Sequence, residues 1–289
     1  LMPVDKIIGK VYPLFAIALL FMAVGIMVML YVKNPELPEM WNGFGTKYET
    51  NPIFPMMFIS IACGAISGFH ATQSPLMSRC LQNEKYGRHI FYGAMITEGF
   101  VALVWATLGM AFYGDSASMH QVIAQDGPGG IVSNVAKGYL GEIGGILAVI
   151  AVVLLSITSG DTAFRSARLT IGDYLLKNNH SLTKRLIISV LVLSGGIAMS
   201  FFDLTTIWTY FGWANQCLAS ITLWMASFYL YQKGKNYLIT LIPAGFITSV
   251  CITYIMYDKI GFRLPLNWSV ITGAVVSVLL VIIFCCKKR

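Results

Sequence analysis

Apolar runs of about 20 residues, each long enough as helix to cross a hydrocarbon core of roughly 30 Å, recur along the whole of this 289-residue chain. That recurrence limits the fold more than any motif does. Within hydrocarbon every backbone N–H and C=O must find a partner inside the protein, so non-helical backbone survives only where it is buried or lines a wet cavity. Composition agrees: 56% of residues are hydrophobic, 11% are charged, and the mean hydropathy is +0.70. The expected fold class is an all-α membrane protein with about eight transmembrane helices, at 11–32, 53–78, 90–113, 142–164, 186–202, 204–231, 237–257 and 269–286, the second of them broken.

The net charge of +7 is a topology signal rather than a nucleic-acid footprint, because the Lys and Arg residues fall in short connections between the runs. Of the 20 Lys and Arg, only Lys33, Lys47, Lys137, Lys259 and Arg263 lie on the outer side if the chain starts in the cytoplasm. Both ends of the chain are then cytoplasmic. The first run is too long for a signal peptide and reads as an ordinary membrane helix. Six cysteines (Cys63, Cys80, Cys217, Cys251, Cys285 and Cys286) show no CxxC spacing, so they read as packing residues rather than a zinc site or disulfide framework. Cys285 and Cys286, beside Lys287–Arg289, also have the setting of lipidated cysteines. The longest connection, 113–142, is either a lid or a solvated loop, with a short re-entrant or surface helix predicted at 130–139.

Polar material concentrates in "SGFHATQSPLMSRC", Ser67 to Cys80. Pro75 has no N–H for the Ala71 carbonyl, and Gly64, Ala65, Ser67 and Gly68 permit close backbone approach. The pattern predicts two half-helices, 53–68 and 75–82, joined by an unwound Phe69–Ser74, with Ser74 as N-cap and Pro75 at the first helical position. A half-helix N-terminus inside a membrane suits a substrate carboxylate. The alternative is a proline kink in which His70, Gln73 and Ser74 bond neighbouring helices or lie at the interface.

A second constellation closes the fourth run. Thr158, Asp161, Thr162 and Arg165 share one helical face, and Ser156 and Ser159 another. A carboxylate among hydroxyls suits Na⁺ or a transferable proton, whereas an Asp161–Arg165 pair at i, i+4, with Arg168 near, is the structural alternative. Glu98 is the acid most clearly inside a run, which marks either a proton path or a neutral hydrogen-bonding group. Asn215 and Gln216 fall at mid-membrane, where helix-to-helix bonds or substrate contacts would satisfy them. Asp203 is placed to cap the sixth helix. His70, His89, His120 and His180 are dispersed, and no HExxH, nucleophile elbow or phosphate loop occurs, so nothing points to an enzyme.

The stretches "CGAISGFHATQSPLMSRCL", "ITEGFVALVWATLGMAFY", "ITSGDTAFRSARL" and "TTIWTYFGWANQ" resemble the carbon starvation protein A family of bacterial inner-membrane carriers, over roughly residues 3–233. That resemblance implies a proton-coupled secondary transporter taking up short peptides or pyruvate when carbon is scarce. It also implies a fold similar to the second half of a five-plus-five inverted-repeat (LeuT-like) transporter. Residues 53–231 would be the second-repeat core and 232–289 peripheral helices, within one transmembrane domain, 1–289. Substrate would meet Phe69, His70, Thr72, Gln73, Ser74 and Asn215. Glu98, Thr158, Ser159 and Asp161 would handle the coupling ion, H⁺ or Na⁺, with no metal and no other cofactor. The family's N-terminal portion has no counterpart here, so the chain is expected to be the C-terminal part of a longer carrier whose N-terminal half is its partner. The rival from another class is a membrane starvation sensor or assembly subunit that moves no substrate.

Overall fold

The structure, a computed structural model, describes residues 4–37, 52–114, 116–175 and 182–287. Residues 1–3, Lys47, Lys177, His180, Lys288 and Arg289, and the side chains of Lys6, Lys10, Cys63 and Arg185, lie outside the described residues. Among the described residues all regular structure is helical. The α-helices are α1 (Val4–Lys33), α2 (Ile53–Ser60), α3 (Ala62–Ala65), α4 (Phe69–Cys80), α5 (Ala94–Tyr113), α6 (Ser116–Leu175), α7 (Leu182–Met199), α8 (Leu204–Gln232), α9 (Leu238–Tyr257) and α10 (Leu266–Lys287). A 3₁₀ turn and a π-helical turn, Glu84–Tyr86 and Arg88–Gly93, lead into α5.

Among the described residues, four helical segments are long and apolar enough to cross a membrane: Glu84–Tyr113, Gly129–Gly172, Leu238–Tyr257 and Leu266–Cys286. This is a multi-pass membrane protein. The other four expected runs are shorter or more polar. The stretch 53–78 is divided among α2, α3 and α4, and the apolar parts described in α1 and α7 are Leu19–Lys33 and Leu186–Met199. In α8, Thr206, Thr209, Asn215 and Gln216 dilute the hydropathy of a 29-residue helix.

The connection expected at 113–142 is largely helical, since α6 begins at Ser116 and continues for 60 residues. Its backbone departs from helix at Gly127 (φ 70°, ψ −177°) and Gly141 (φ 74°, ψ −168°), a region essentially reserved for glycine. The helix expected at 130–139 lies within it, and packing explains why this part is not a solvated loop: Val135, Ala136 and Tyr139 are buried, and membership of a core favours helix over an extended excursion.

The chain divides into two compact units. The first, Leu1–Phe44 with Gly93–Arg165, has a core in which Met22 and Ile26 of α1, Val104 and Leu108 of α5, and Val135, Tyr139 and Ala148 of α6 meet. The i, i+4 spacing puts each pair on one helical face. Near the Gly141 interruption, Lys33 Nζ donates to the Gly138 carbonyl at 2.7 Å and sits 4.9 Å from the Tyr139 ring centre.

The second unit, Gly45–Tyr92 with Ser166–Arg289, is built around α9, whose Leu241, Ala244, Ile247, Val250, Cys251 and Tyr254 are buried. Small residues bring α10 close: Ser277 Oγ donates to the Gly245 carbonyl at 2.6 Å, and a Cβ on Gly273 would lie 2.2 Å from Thr253 Oγ1. This is the small-residue packing that joins helices where lipid supplies no hydrophobic drive. Asp203 caps α8, its carboxylate accepting from the Thr206 N–H at 3.0 Å.

Candidate functional site

The second run is interrupted at Ile66–Gly68, upstream of the expected Phe69–Ser74. Ile66 is extended (φ −135°, ψ 95°), and helix resumes at Phe69 and continues through Pro75 to Cys80. Two neighbours set that position. A Cβ on Gly68 would lie 2.2 Å from the Asn215 carbonyl oxygen and 2.7 Å from the Ala219 nitrogen, so only glycine lets the chain rest on the α8 backbone. Asn215 then supplies the acceptor that a new helix start requires. Its Oδ1 receives the Phe69 N–H at 3.0 Å and the Ser67 hydroxyl at 3.2 Å, and the Phe69 N–H also reaches Ser67 Oγ at 3.3 Å.

Ser74 is therefore inside α4 and not its cap. Its hydroxyl donates to the His70 carbonyl at 2.6 Å, as those of Thr72 and Ser78 donate to the Phe69 and Pro75 carbonyls at 2.8 and 2.9 Å. Pro75 removes the donor for Ala71 without ending the helix. The unwound Phe69–Ser74 linker and the half-helix beginning at Pro75 give way to a helix starting six residues earlier.

The adjacent amides of α8 serve both sides of the break. Asn215, 1% exposed, holds the start of α4, while Gln216, 2% exposed, donates from Nε2 to the Phe58 carbonyl of α2 at 2.8 Å. Phe69 packs on Phe211 with ring centres 4.6 Å apart.

Beside α4 lies a cleft of about 510 Å³. Thr72, Pro75 and Arg79 line one wall, and Ser166, Thr170 and Tyr174 of α6 line another. Ser166 Oγ donates to the Thr72 carbonyl at 3.2 Å, linking the walls. Of the expected substrate residues, Thr72 lines this cleft, Asn215 is committed to the helix start, and His70, Gln73 and Ser74 are half-buried along α4. Arg79, Ser166 and Thr170 were not among the expected set. The signal for Arg79 is the spacing 72, 75, 76, 79, one face of a helix, legible only once α4 is known to begin at Phe69.

The second constellation belongs to the first unit. Asp161 Oδ2 accepts from Arg165 Nη2 at 3.0 Å, with both side chains about one-third exposed (36% and 35%). Thr158 and Thr162 donate to the Leu155 and Thr158 carbonyls of their own helix at 2.9 and 2.8 Å. Ser159 is exposed on α6, and Glu98 is exposed on α5. These four expected coupling residues lie on two helices of one unit, and Asp161 is paired with its helical neighbour Arg165.

The family model described as "Carbon starvation protein CstA" matches residues 11–126 and 114–254. The chain belongs to this family. Within and around it, similarity extends to a membrane protein of Haemophilus influenzae, 46% identical over 142 residues, which are 43% of this chain and 38% of that one. A peptide transporter of Escherichia coli is 28% identical over 303 residues, covering 80% of this chain and 43% of the transporter. A pyruvate/proton symporter of the same organism is 45% identical over 87 residues, 28% of this chain and 12% of the symporter. The chain thus spans about two-fifths of the Haemophilus protein and of the peptide transporter. No solved structure matches it.

Proposed function

We propose that this CstA-family chain forms part of a secondary active carrier of the bacterial inner membrane that imports short peptides or pyruvate during carbon starvation, coupled to protons. One observation carries the reading. A membrane segment is broken where Gly68 rests on α8, its new helix is held by a buried amide, and a cleft opens along that helix. Broken helices beside a cavity are the recurring way in which carriers of this kind place polar groups at depth.

In this reading the cleft receives the substrate. Thr72 and Thr170 offer hydroxyls and Arg79 a guanidinium suited to a carboxylate, which peptides and pyruvate both carry. Phe69, His70, Gln73 and Ser74 shape the helix that presents Thr72, and Asn215 positions it. Glu98 and Asp161, with Thr158 and Ser159, are the candidates for the proton step. Rocking of helices about the cleft would expose it to one side and then the other.

Uptake into proteoliposomes carrying the complete carrier of which this chain is part tests the reading, with labelled pyruvate or a labelled dipeptide supplied under an imposed proton gradient. Accumulation above equilibrium, abolished by a protonophore and weakened in Arg79→Gln, is expected. Ligand binding without accumulation would favour the sensor instead.

A further inference from the structure

Away from the cleft, the second unit holds two thiols that neither the cleft nor the broken helix uses. Cys217 of α8 and Cys251 of α9 lie within hydrogen-bonding reach of each other. Helix register explains the meeting. Along α8, Trp213 Nε1 donates to the Cys251 carbonyl at 3.1 Å and Ser220 Oγ lies 2.7 Å from Thr248 Oγ1. Further on, Trp224 Nε1 donates to Thr248 Oγ1 at 3.0 Å and Ser227 Oγ to Thr240 Oγ1 at 2.9 Å. The contacts climb α8 from Trp213 to Ser227 while descending α9 from Cys251 to Thr240, so the seam is antiparallel, and Cys217 falls in the seven-residue gap between Trp213 and Ser220, four residues from one and three from the other. Polar contacts on both sides pin the two helices at the thiols.

The pair differs from the other described cysteines. Cys80, Cys285 and Cys286 are exposed, whereas Cys251 is buried and Cys217 is intermediate. One thiol is thus part-exposed and the other buried, the arrangement of an attacking and a resolving cysteine.

We propose that Cys217 and Cys251 form a reversible disulfide that staples α8 to α9 when organic hydroperoxides arise in the membrane. The Cys217 sulfur attacks the terminal oxygen of the hydroperoxide and the O–O bond breaks. The thiol proton leaves with the alkoxide as an alcohol, and Cys217 becomes a sulfenic acid. The Cys251 sulfur then attacks the Cys217 sulfur, forming the S–S bond. The S–O bond breaks, and the hydroxyl takes the Cys251 proton away as water. Two thiols are oxidised and one hydroperoxide is reduced. Because Cys217 lies two residues from Asn215, the staple immobilises the part of α8 that holds the start of α4.

The full chain, with Cys63, Cys80, Cys285 and Cys286 replaced by serine and reconstituted in liposomes, is treated with tert-butyl hydroperoxide, blocked with maleimide and mapped without reduction. The expected product is a peptide cross-linked between positions 217 and 251, lost on treatment with dithiothreitol. Cys251→Ala leaves a sulfenic acid on Cys217 that dimedone traps, while Cys217→Ala leaves Cys251 unoxidised. Should the parent chain accumulate Cys217 sulfenic acid without a cross-link, or keep full maleimide labelling of Cys217 after peroxide, the proposal is overturned. The circular dichroism of each variant before treatment separates misfolding from chemistry.

Discussion

The break at Ile66–Gly68 and the polar end of α6 have similar compositions, with hydroxyls, amides or acids set in apolar helix, yet they satisfy those groups in opposite ways. Around the break the partners are distant in sequence: Ser67 meets Asn215 across 148 positions, Gln216 meets Phe58 across 158, and Ser166 meets Thr72 across 94. At the end of α6 they are local, with Thr158, Thr162 and Arg165 each bonding within four residues. A polar group paired within its own helix fixes nothing beyond that helix. One paired across helices fixes a tertiary position, and in low dielectric the loss of its partner is correspondingly costly. The comparison therefore assigns the break to architecture as well as to any binding role, and it sets the local pairs of α6 apart from it.

The largest effect expected from breaking this contrast is at Gly68. A Cβ there meets α8 backbone at 2.2 and 2.7 Å, which side-chain motion cannot relieve. Gly68→Ala should destabilise the chain by about 3 kcal/mol, the upper part of the overpacking range, read as an earlier midpoint in denaturant titration of mixed micelles. An unchanged midpoint would mean that the break does not rest on α8.

Next comes Asn215→Leu, which strips the acceptor from the Phe69 N–H and the Ser67 hydroxyl, for roughly 2 kcal/mol. Ser67→Ala leaves the Asn215–Phe69 bond in place and should cost less. Equal losses in the two variants would show that the serine, not the amide, holds the helix start. Ser166→Ala removes one hydrogen bond between the cleft walls and should cost about 1 kcal/mol, again from the same titration.

Much of this molecule was legible in its residues because much of it is local. Run lengths give the helices, Asp203 announces its cap, and the i, i+4 spacing of Asp161 and Arg165 announces their ion pair. The existence of a break was legible too, but its place was not. Pro75 is the loudest local signal, and it suggested a helix start at its own position. The chain instead restarts at Phe69, because Gly68 fits α8 and Asn215 offers an acceptor, and neither fact can be read from the neighbourhood of Ser67. The cleft followed the same error, since Arg79 joins Thr72 on one face only when α4 is continuous between them. Glu98, the acid most clearly inside a run, is exposed on α5, which packs through Val104 and Leu108.

The smallest expected effect sharpens the contrast most. Asp161→Asn removes the charge partner of Arg165, but the pair is one-third exposed and sits within one helix. Exposed i, i+4 pairs contribute about 0.3–0.5 kcal/mol, so the denaturation midpoint should scarcely move. Uptake is where Asp161 would register. If the carboxylate handles the coupling proton, Asp161→Asn removes proton-driven accumulation while the fold stays intact, whereas Asn215→Leu lowers stability and uptake together. Should Asp161→Asn instead shift stability as far as Ser166→Ala does, Asp161 would have a partner on another element, and the division between local and long-range pairing would fail at α6.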